Sequence, residues 1–253
     1  MLVKEAFIDR CLEYRNEVKG MKVLEINDIY KRKKKKKILQ GLSFDVGEQE
    51  IVCIVAPNGS GKSTTIKCIT GLFRLDAGDI KICGNDIYKN RKEAFSNIGL
   101  CMEEPSLFEE LTGMENLEFV AKAKNVPKRE IEEVVKFSGL GEGINRRAKT
   151  YSLGMRMRLG LSLAFLGKPK LIILDEPTNG LDVDAVINVR KELAKLRSCG
   201  CSILISSHYL GEMEKIADRV IVLQNGKVIK NITMDDIKSQ YGELEKMYKE
   251  LCE

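Results

Sequence analysis

The run EIVCIVAPNGSGKSTTIKCI, residues 50–69, leaves a chain little choice of fold. Its first part is an uninterrupted apolar stretch of strand length, and its last part has helical spacing. Between them Gly59 and Gly61 permit a tight backbone turn that residues carrying a Cβ resist. A buried strand that feeds a helix through a glycine turn is the first half of a βαβ unit. Such units build parallel sheets with helices on both faces.

Alternation of this kind continues along the chain. IGLCM, LIILD and CSILIS read as further strands, and 62–72, 183–198 and 209–217 as helices between them. RVIVLQNGKVIKN reads as a hairpin turning at Asn225-Gly226. Short strands are expected near the start, from Met21. Helical spacing over 113–138, broken at Pro127, and over 152–166 interrupts the alternation, so about 105–160 is expected to be an inserted helical subdomain. Residues 1–20 read as an amphipathic helical extension through Leu2, Phe7, Ile8, Cys11 and Leu12, and 233–253 as a charged helical tail.

Composition bounds the class. The 253 residues are 43% hydrophobic and 31% charged, which suits one α/β unit with a subdomain. The densest apolar runs, IVCIVA and LIIL, fall far short of the roughly 18 residues a membrane helix needs. The first residues lack the order of a secretion signal, so a chain soluble by itself and not exported is expected. Eight cysteines with no C-x-x-C pair argue for reduced thiols and against zinc.

The glycine turn also carries chemistry. APNGSGKST follows a strand and opens a helix, the setting a phosphate-binding loop requires, although Ala56 stands where that motif has its first glycine. Backbone N–H groups over Asn58, Gly59, Ser60, Gly61 and Thr64 would point at phosphate oxygens. Lys62 would reach the terminal phosphates, and the Ser63 hydroxyl would ligate Mg²⁺. LIILDEP ends an apolar strand in two carboxylates: Asp175 can hold the Mg²⁺ shell, and Glu176 can orient or deprotonate an attacking water. His208, the one histidine, follows the strand ILISS. A lone histidine is usually structural or merely exposed, but this strand end points to the same edge as Asp175, where an imidazole could bond a γ-phosphate or the water.

KRKKKKK at 31–37 concentrates the net charge of +5. Such a run attracts nucleic acid or acidic lipid. The alternation of VLEIND before it and LSFDV after it reads it instead as a solvated loop between strands, and it lacks the interleaved aromatics of a base-stacking surface.

The series APNGSGKST, YSLGMRMR, LIILDEPTNGLD and ISSH, in that order over about 21–232, resembles the nucleotide-binding subunit of an ABC transporter. The wording YSLGM with DEPTNGLD is similar to the exporters of bacitracin, lantibiotics and drugs. The resemblance implies a P-loop NTPase fold of the ABC ATPase type, with a mostly parallel sheet, an antiparallel β subdomain and the inserted helices. It implies ATP hydrolysis with Mg²⁺. Tyr30 would stack on adenine, Glu103 would stand in the metal-sensing position usually held by glutamine, and Asp182 would lie in a loop between two ATP sites. Ser152, Gly154 and Met155 correspond to the family's signature, of which one glycine and the glutamine are absent. In the family this segment faces the ATP of the opposite subunit. The implied partners are a transmembrane permease, docked near 105–117, and a second copy or a homologous ATPase subunit, at the inner face of the cell membrane. That stretch reads equally well as ordinary core packing. The competing function is an ABC ATPase acting on nucleic acid or the ribosome. One phosphate loop and one signature in 253 residues disfavour it, and a small-molecule kinase would leave Ser152 to Gly154 unexplained.

Overall fold

The computed structural model describes residues 22–252. The helical reading of 1–20 lies outside them. Strands β1 (Lys22–Lys33), β2 (Lys36–Gly47), β4 (Ala77–Ile82) and β5 (Asn85–Asp86) form an antiparallel sheet in the order β2-β1-β4-β5. The second sheet has the order β10-β9-β3-β8-β7-β6, from β3 (Ile51–Val55), β6 (Ile98–Cys101), β7 (Leu171–Asp175), β8 (Ser202–Ser206), β9 (Arg219–Gln224) and β10 (Lys227–Thr233). Its strands run parallel except β10, which returns antiparallel from β9 through Asn225-Gly226.

Every residue of β3, β7 and β8 is buried, as a strand covered on both faces demands. Alternation then divides β3 between two cores. Ile51, Cys53 and Val55 join the helical side, and Val52 and Ile54 join the antiparallel sheet.

The helices are α1 (Lys62–Ile69), α2 (Arg91–Ser96), α3 (Gly113–Lys124), α4 (Lys128–Ser138), α5 (Leu153–Phe165), α6 (Val183–Ser198), α7 (Leu210–Met213), α8 (Met234–Gln240) and α9 (Leu244–Cys252). Three of them, α3 to α5, lie between β6 and β7. Thr112 and Glu115 form a reciprocal capping box at the start of α3. Asn125 ends that helix at φ 54°, and Pro127 precedes α4. Helix α5 presses on β6 at Gly99, where a Cβ would lie 2.0 Å from the Ala164 carbonyl oxygen.

Two expectations need correction. The first strands are not short, and KRKKKKK is not a loop between them. Each strand is twelve residues long and absorbs most of the run, leaving only Lys34 and Lys35 as the turn. The reason is register: β1 is held on both sides, by β2 and by β4 as far as Tyr30, so its extended path carries the lysines with it. The helix expected over 209–217 is regular only over Leu210–Met213. Beyond it Lys215 and Ile216 donate to carbonyls three residues back, tightening the chain before β9.

The two sheets are tied beside the glycine turn. Gln40 N–H donates to the Gly226 carbonyl at 2.9 Å, and Gly226 N–H donates to the Ser60 carbonyl at 3.1 Å. Arg219 on β9 holds both oxygens of Glu50, at 2.7 and 2.8 Å, and reaches Asp45 on β2 at 3.2 Å.

Candidate functional site

The loop after β3 turns through Gly59 at φ 80° and Gly61 at φ 104°, both left-handed. A Cβ at Gly61 would lie 2.9 Å from Leu39 Cδ2, so β2 closes that side of the turn. Helix α1 begins at Lys62 with no side-chain cap, whereas α3, α5, α6 and α8 are capped by Thr112, Ser152, Asp182 and Thr233. Among the described residues no side chain caps the first N–H groups of α1, and the positive end of the helix dipole lies behind them, a setting that suits an anion. Asn58, Gly59 and Ser63 are exposed, Thr64 is half-buried, and Ser60 is buried with its carbonyl held by Gly226. The Ala56 methyl does not distort this arrangement. It is buried in the core on the antiparallel side.

Strand β7 delivers the carboxylates to the same edge. Parallel pairing sets Asp175 opposite Ser206, and the buried Ser206 hydroxyl donates to Asp175 Oδ1 at 2.5 Å. The same hydroxyl accepts the Glu176 N–H at 3.1 Å. Glu176 has φ 49°, a left-handed conformation that costs a residue with a side chain, and it turns the carboxylate back over the sheet edge. There Lys62 Nζ pairs with Glu176 Oε1. His208 Nδ1 lies 2.8 Å from Glu176 Oε2, and the His208 backbone N–H donates to that oxygen at 3.2 Å. A carboxylate partner requires the proton on Nδ1, which leaves Nε2 of the neutral ring free to accept. Glu176 thus joins the helix α1 lysine to the histidine after β8, although the three are spread over 146 residues of sequence (208 − 62).

The remaining residues flank this centre. The Asn179 amide donates to Glu103 Oε1, tying the loop after β6 to that after β7. Asp182 accepts the Ala185 N–H at 2.7 Å as the cap of α6. Ser152 accepts the Met155 N–H at 3.3 Å as the cap of α5. A Cβ on Gly180 would lie 3.3 Å from Leu153, and one on Gly154 would lie 3.4 Å from Ala185 Cβ, so the signature packs on the segment that starts α6. Among the described residues no hydrogen bond joins Ser152 to Lys62, Glu176 or His208. Tyr30 is 41% exposed beside Gly41, and the nearby Asp28 carboxylate raises its phenol above the usual range.

Sequence reasoning missed Ser206 and Tyr248. A polar residue closing the apolar strand ILIS was the available signal for the first. Tyr248, on α9, lines a groove of about 620 Å³ with His208, Leu210 and Lys215. It also reaches a smaller cleft beside Ala56 and Ser207, so the C-terminal helix lies against the histidine loop. Nothing in its local sequence marks that contact.

A sequence model of the ABC transporter family matches residues 39–179. The chain is 45% identical over 209 residues to the uncharacterised ABC transporter ATP-binding protein YhcH of Bacillus subtilis, covering 82% of this chain and 68% of that one. It is 36% identical over 222 residues to the bacitracin transport ATP-binding protein BcrA of Bacillus licheniformis, covering 86% and 72%. The lantibiotic transport ATP-binding protein SrtF of Streptococcus pyogenes is 35% identical over 207 residues, covering 82% and 89%. A solved ATP-binding subunit of an ABC transporter superposes with a TM-score of 0.84 at 32% identity, covering 91% of this chain and all of that one. On the family match and these relatives, the chain belongs to the ABC transporter family as an ATP-binding, ATP-hydrolysing subunit.

Proposed function

We propose that this chain binds MgATP between the loop 56–64 and the Asp175–Glu176 strand end, and that two such subunits close head to tail to drive export by a membrane permease. The observation that carries the catalytic part is the convergence of Lys62 and His208 on one buried carboxylate, Glu176. The first-turn N–H groups of α1 bind phosphate oxygens, and Lys62 leaves Glu176 to meet the terminal phosphates. That exchange frees Glu176 Oε1 to accept a proton from the attacking water. His208 holds the other oxygen and orients the carboxylate. Tyr30 offers its exposed ring to adenine.

The Ser63 hydroxyl and the Oδ2 atom of Asp175 are hard oxygen donors, and Glu103 stands on the neighbouring loop. This set fits Mg²⁺, which takes one or two protein oxygens and completes its shell from water and phosphate. Bound there, the ion would neutralise phosphate charge. Ser152, Gly154 and Met155 complete the γ-phosphate site of the opposite subunit, and Asp182 lies where the two subunits meet. This role suits a Ser152 whose own chain engages it only as a helix cap. Two relatives named for bacitracin and lantibiotic transport support an antimicrobial peptide or drug as cargo. Membership of the ABC transporter family supports a separate permease as the path, with the ATPase on the inner face of the membrane.

Glu176→Gln tests the mechanism. The variant is expected to hold ATP in a stable pair of subunits, seen by light scattering, with turnover reduced about a hundredfold or more. Unchanged turnover with a persistent monomer overturns it. Purifying the chain from its native membrane and identifying the integral protein that accompanies it tests the partner.

A further inference from the structure

The tip of the β1–β2 hairpin breaks two local rules at once. Arg32 lies directly opposite Lys37, and Lys33 opposite Lys36, so cation faces cation across the ladder. Like charges in that position destabilise a hairpin. The turn between them is Lys34-Lys35, with Lys34 at φ 55°, where asparagine or glycine is favoured. The β9–β10 hairpin obeys the rule, with Asn225 at φ 51° and Gly226 at φ 74°.

The cations are also uncompensated. Elsewhere on this sheet Lys22 pairs with Asp45 at 3.2 Å, and Lys31 with Asp76 at 3.6 Å. Asp76 also accepts the Arg32 backbone N–H at 2.6 Å, which occupies its other oxygen. Among the described residues no carboxylate lies within ion-pair distance of the side chains of Arg32 and Lys33 to Lys37, all six of them exposed. A segment that breaks both turn chemistry and charge pairing without any gain in packing marks a function.

We propose that this hairpin tip is a docking surface for an anionic lipid bilayer. The partner must be negative and extended, because alternation along the two strands sends the cations to both faces of the ribbon. Five of the six are lysines, mobile point charges suited to a diffuse layer of headgroups, whereas arginine forks suit individual phosphates held bidentately. The tip has no aromatic residue on which a base could stack, which disfavours single-stranded nucleic acid. The inference rests on the reading that this subunit works at a membrane. It adds a contact made by the ATPase itself, in addition to the permease. The ribbon springs from the nucleotide site: Tyr30 precedes the run, and Leu39, two residues past it, packs against Gly61.

The test uses the full chain and vesicles of phosphatidylcholine, alone or with about one third phosphatidylglycerol, at about 0.15 M salt. The wild type should sediment with the anionic vesicles and not with the neutral ones. Lys33→Gln, Lys34→Gln, Lys36→Gln and Lys37→Gln combined should weaken that binding at least about tenfold, with ATP turnover in the absence of vesicles unchanged. Failure of the wild type to bind anionic vesicles overturns the proposal, as does full binding by the variant. Tighter binding to single-stranded RNA than to vesicles at the same salt also overturns it. Turnover and the Glu176→Gln dimer are measured without lipid, so a failure of the catalytic reading shows separately.

Discussion

The Ser206 hydroxyl donates to Asp175 Oδ1 at 2.5 Å from the adjacent strand, and both residues are buried. It also accepts the Glu176 N–H, so one oxygen positions the two acids of the DEP turn. Ser206→Ala removes a hydrogen bond to a charged group, worth about 1.5 to 3 kcal/mol. We expect the variant to fold with a lowered melting temperature and to need several times more Mg²⁺ for half-maximal ATP turnover. Ser206→Thr should restore the Mg²⁺ requirement. An unaltered Mg²⁺ titration in the alanine variant would assign Ser206 to packing alone.

Ser152→Ala separates cap from catalysis. Loss of the cap on α5 costs about 1 kcal/mol of stability. If the hydroxyl also meets the nucleotide of an opposite subunit, turnover should fall by more than about tenfold at a temperature where the variant is fully folded. Turnover that follows only the folded fraction would reduce Ser152 to its cap.

Gly99→Ala should be severely destabilising, by about 3 kcal/mol or more, because the added carbon would lie 2.0 Å from the Ala164 carbonyl oxygen in a backbone contact that cannot rotate away. Gly84→Ala is the control. That glycine has φ +75° with open space around it, so only the conformational cost of about 1 kcal/mol applies. Chemical denaturation of both variants distinguishes crowding from backbone strain.

Burial pushes the Cys101 thiol from 9.0 up to about 12 and the Cys68 thiol up to about 11, and raises Cys53 further still. In the folded chain these groups keep protons that the unfolded chain releases above its own value. Their contribution to stability is therefore complete below pH 9.0 and is lost progressively as pH rises from there toward 11 and 12. Urea midpoints should fall over that window, and Cys101→Ala should flatten the fall. At about pH 8 these three thiols should resist alkylation until the chain unfolds.

Much of this was legible in the residues. IVCIV and LIILD are continuous apolar runs because both faces of their strands are covered, and APNGSGKST announces its turn through glycines that the structure holds at positive φ. Helical spacing over 113–138 with its break at Pro127 matches α3 and α4. The lysine run hid its strands because a stretch of identical side chains shows no alternation, and pairing with the rest of the sheet decided its path. Ser206 stands out in the sequence as a polar strand end, but not as the partner of Asp175. Its partner depends on which strand lies beside β7, and strand order is a property of the sheet as a whole. The Lys62–Glu176 pair, 114 residues apart, arises in the same way.

Gly226 gives the molecule a mechanical asymmetry. Its carbonyl receives Gln40, its N–H grips Ser60, and a Cβ there would lie 2.0 Å from the Ile38 oxygen. The glycine turn, the antiparallel sheet and the β9–β10 hairpin meet at this residue, so a force on any of them loads the other two. The chain between Cys101 and Leu171 lies outside that junction and carries Ser152 at its far end. A displacement at the phosphates would therefore load both sheets through Gly226, and would reach Ser152 through the packing of α5 on β6.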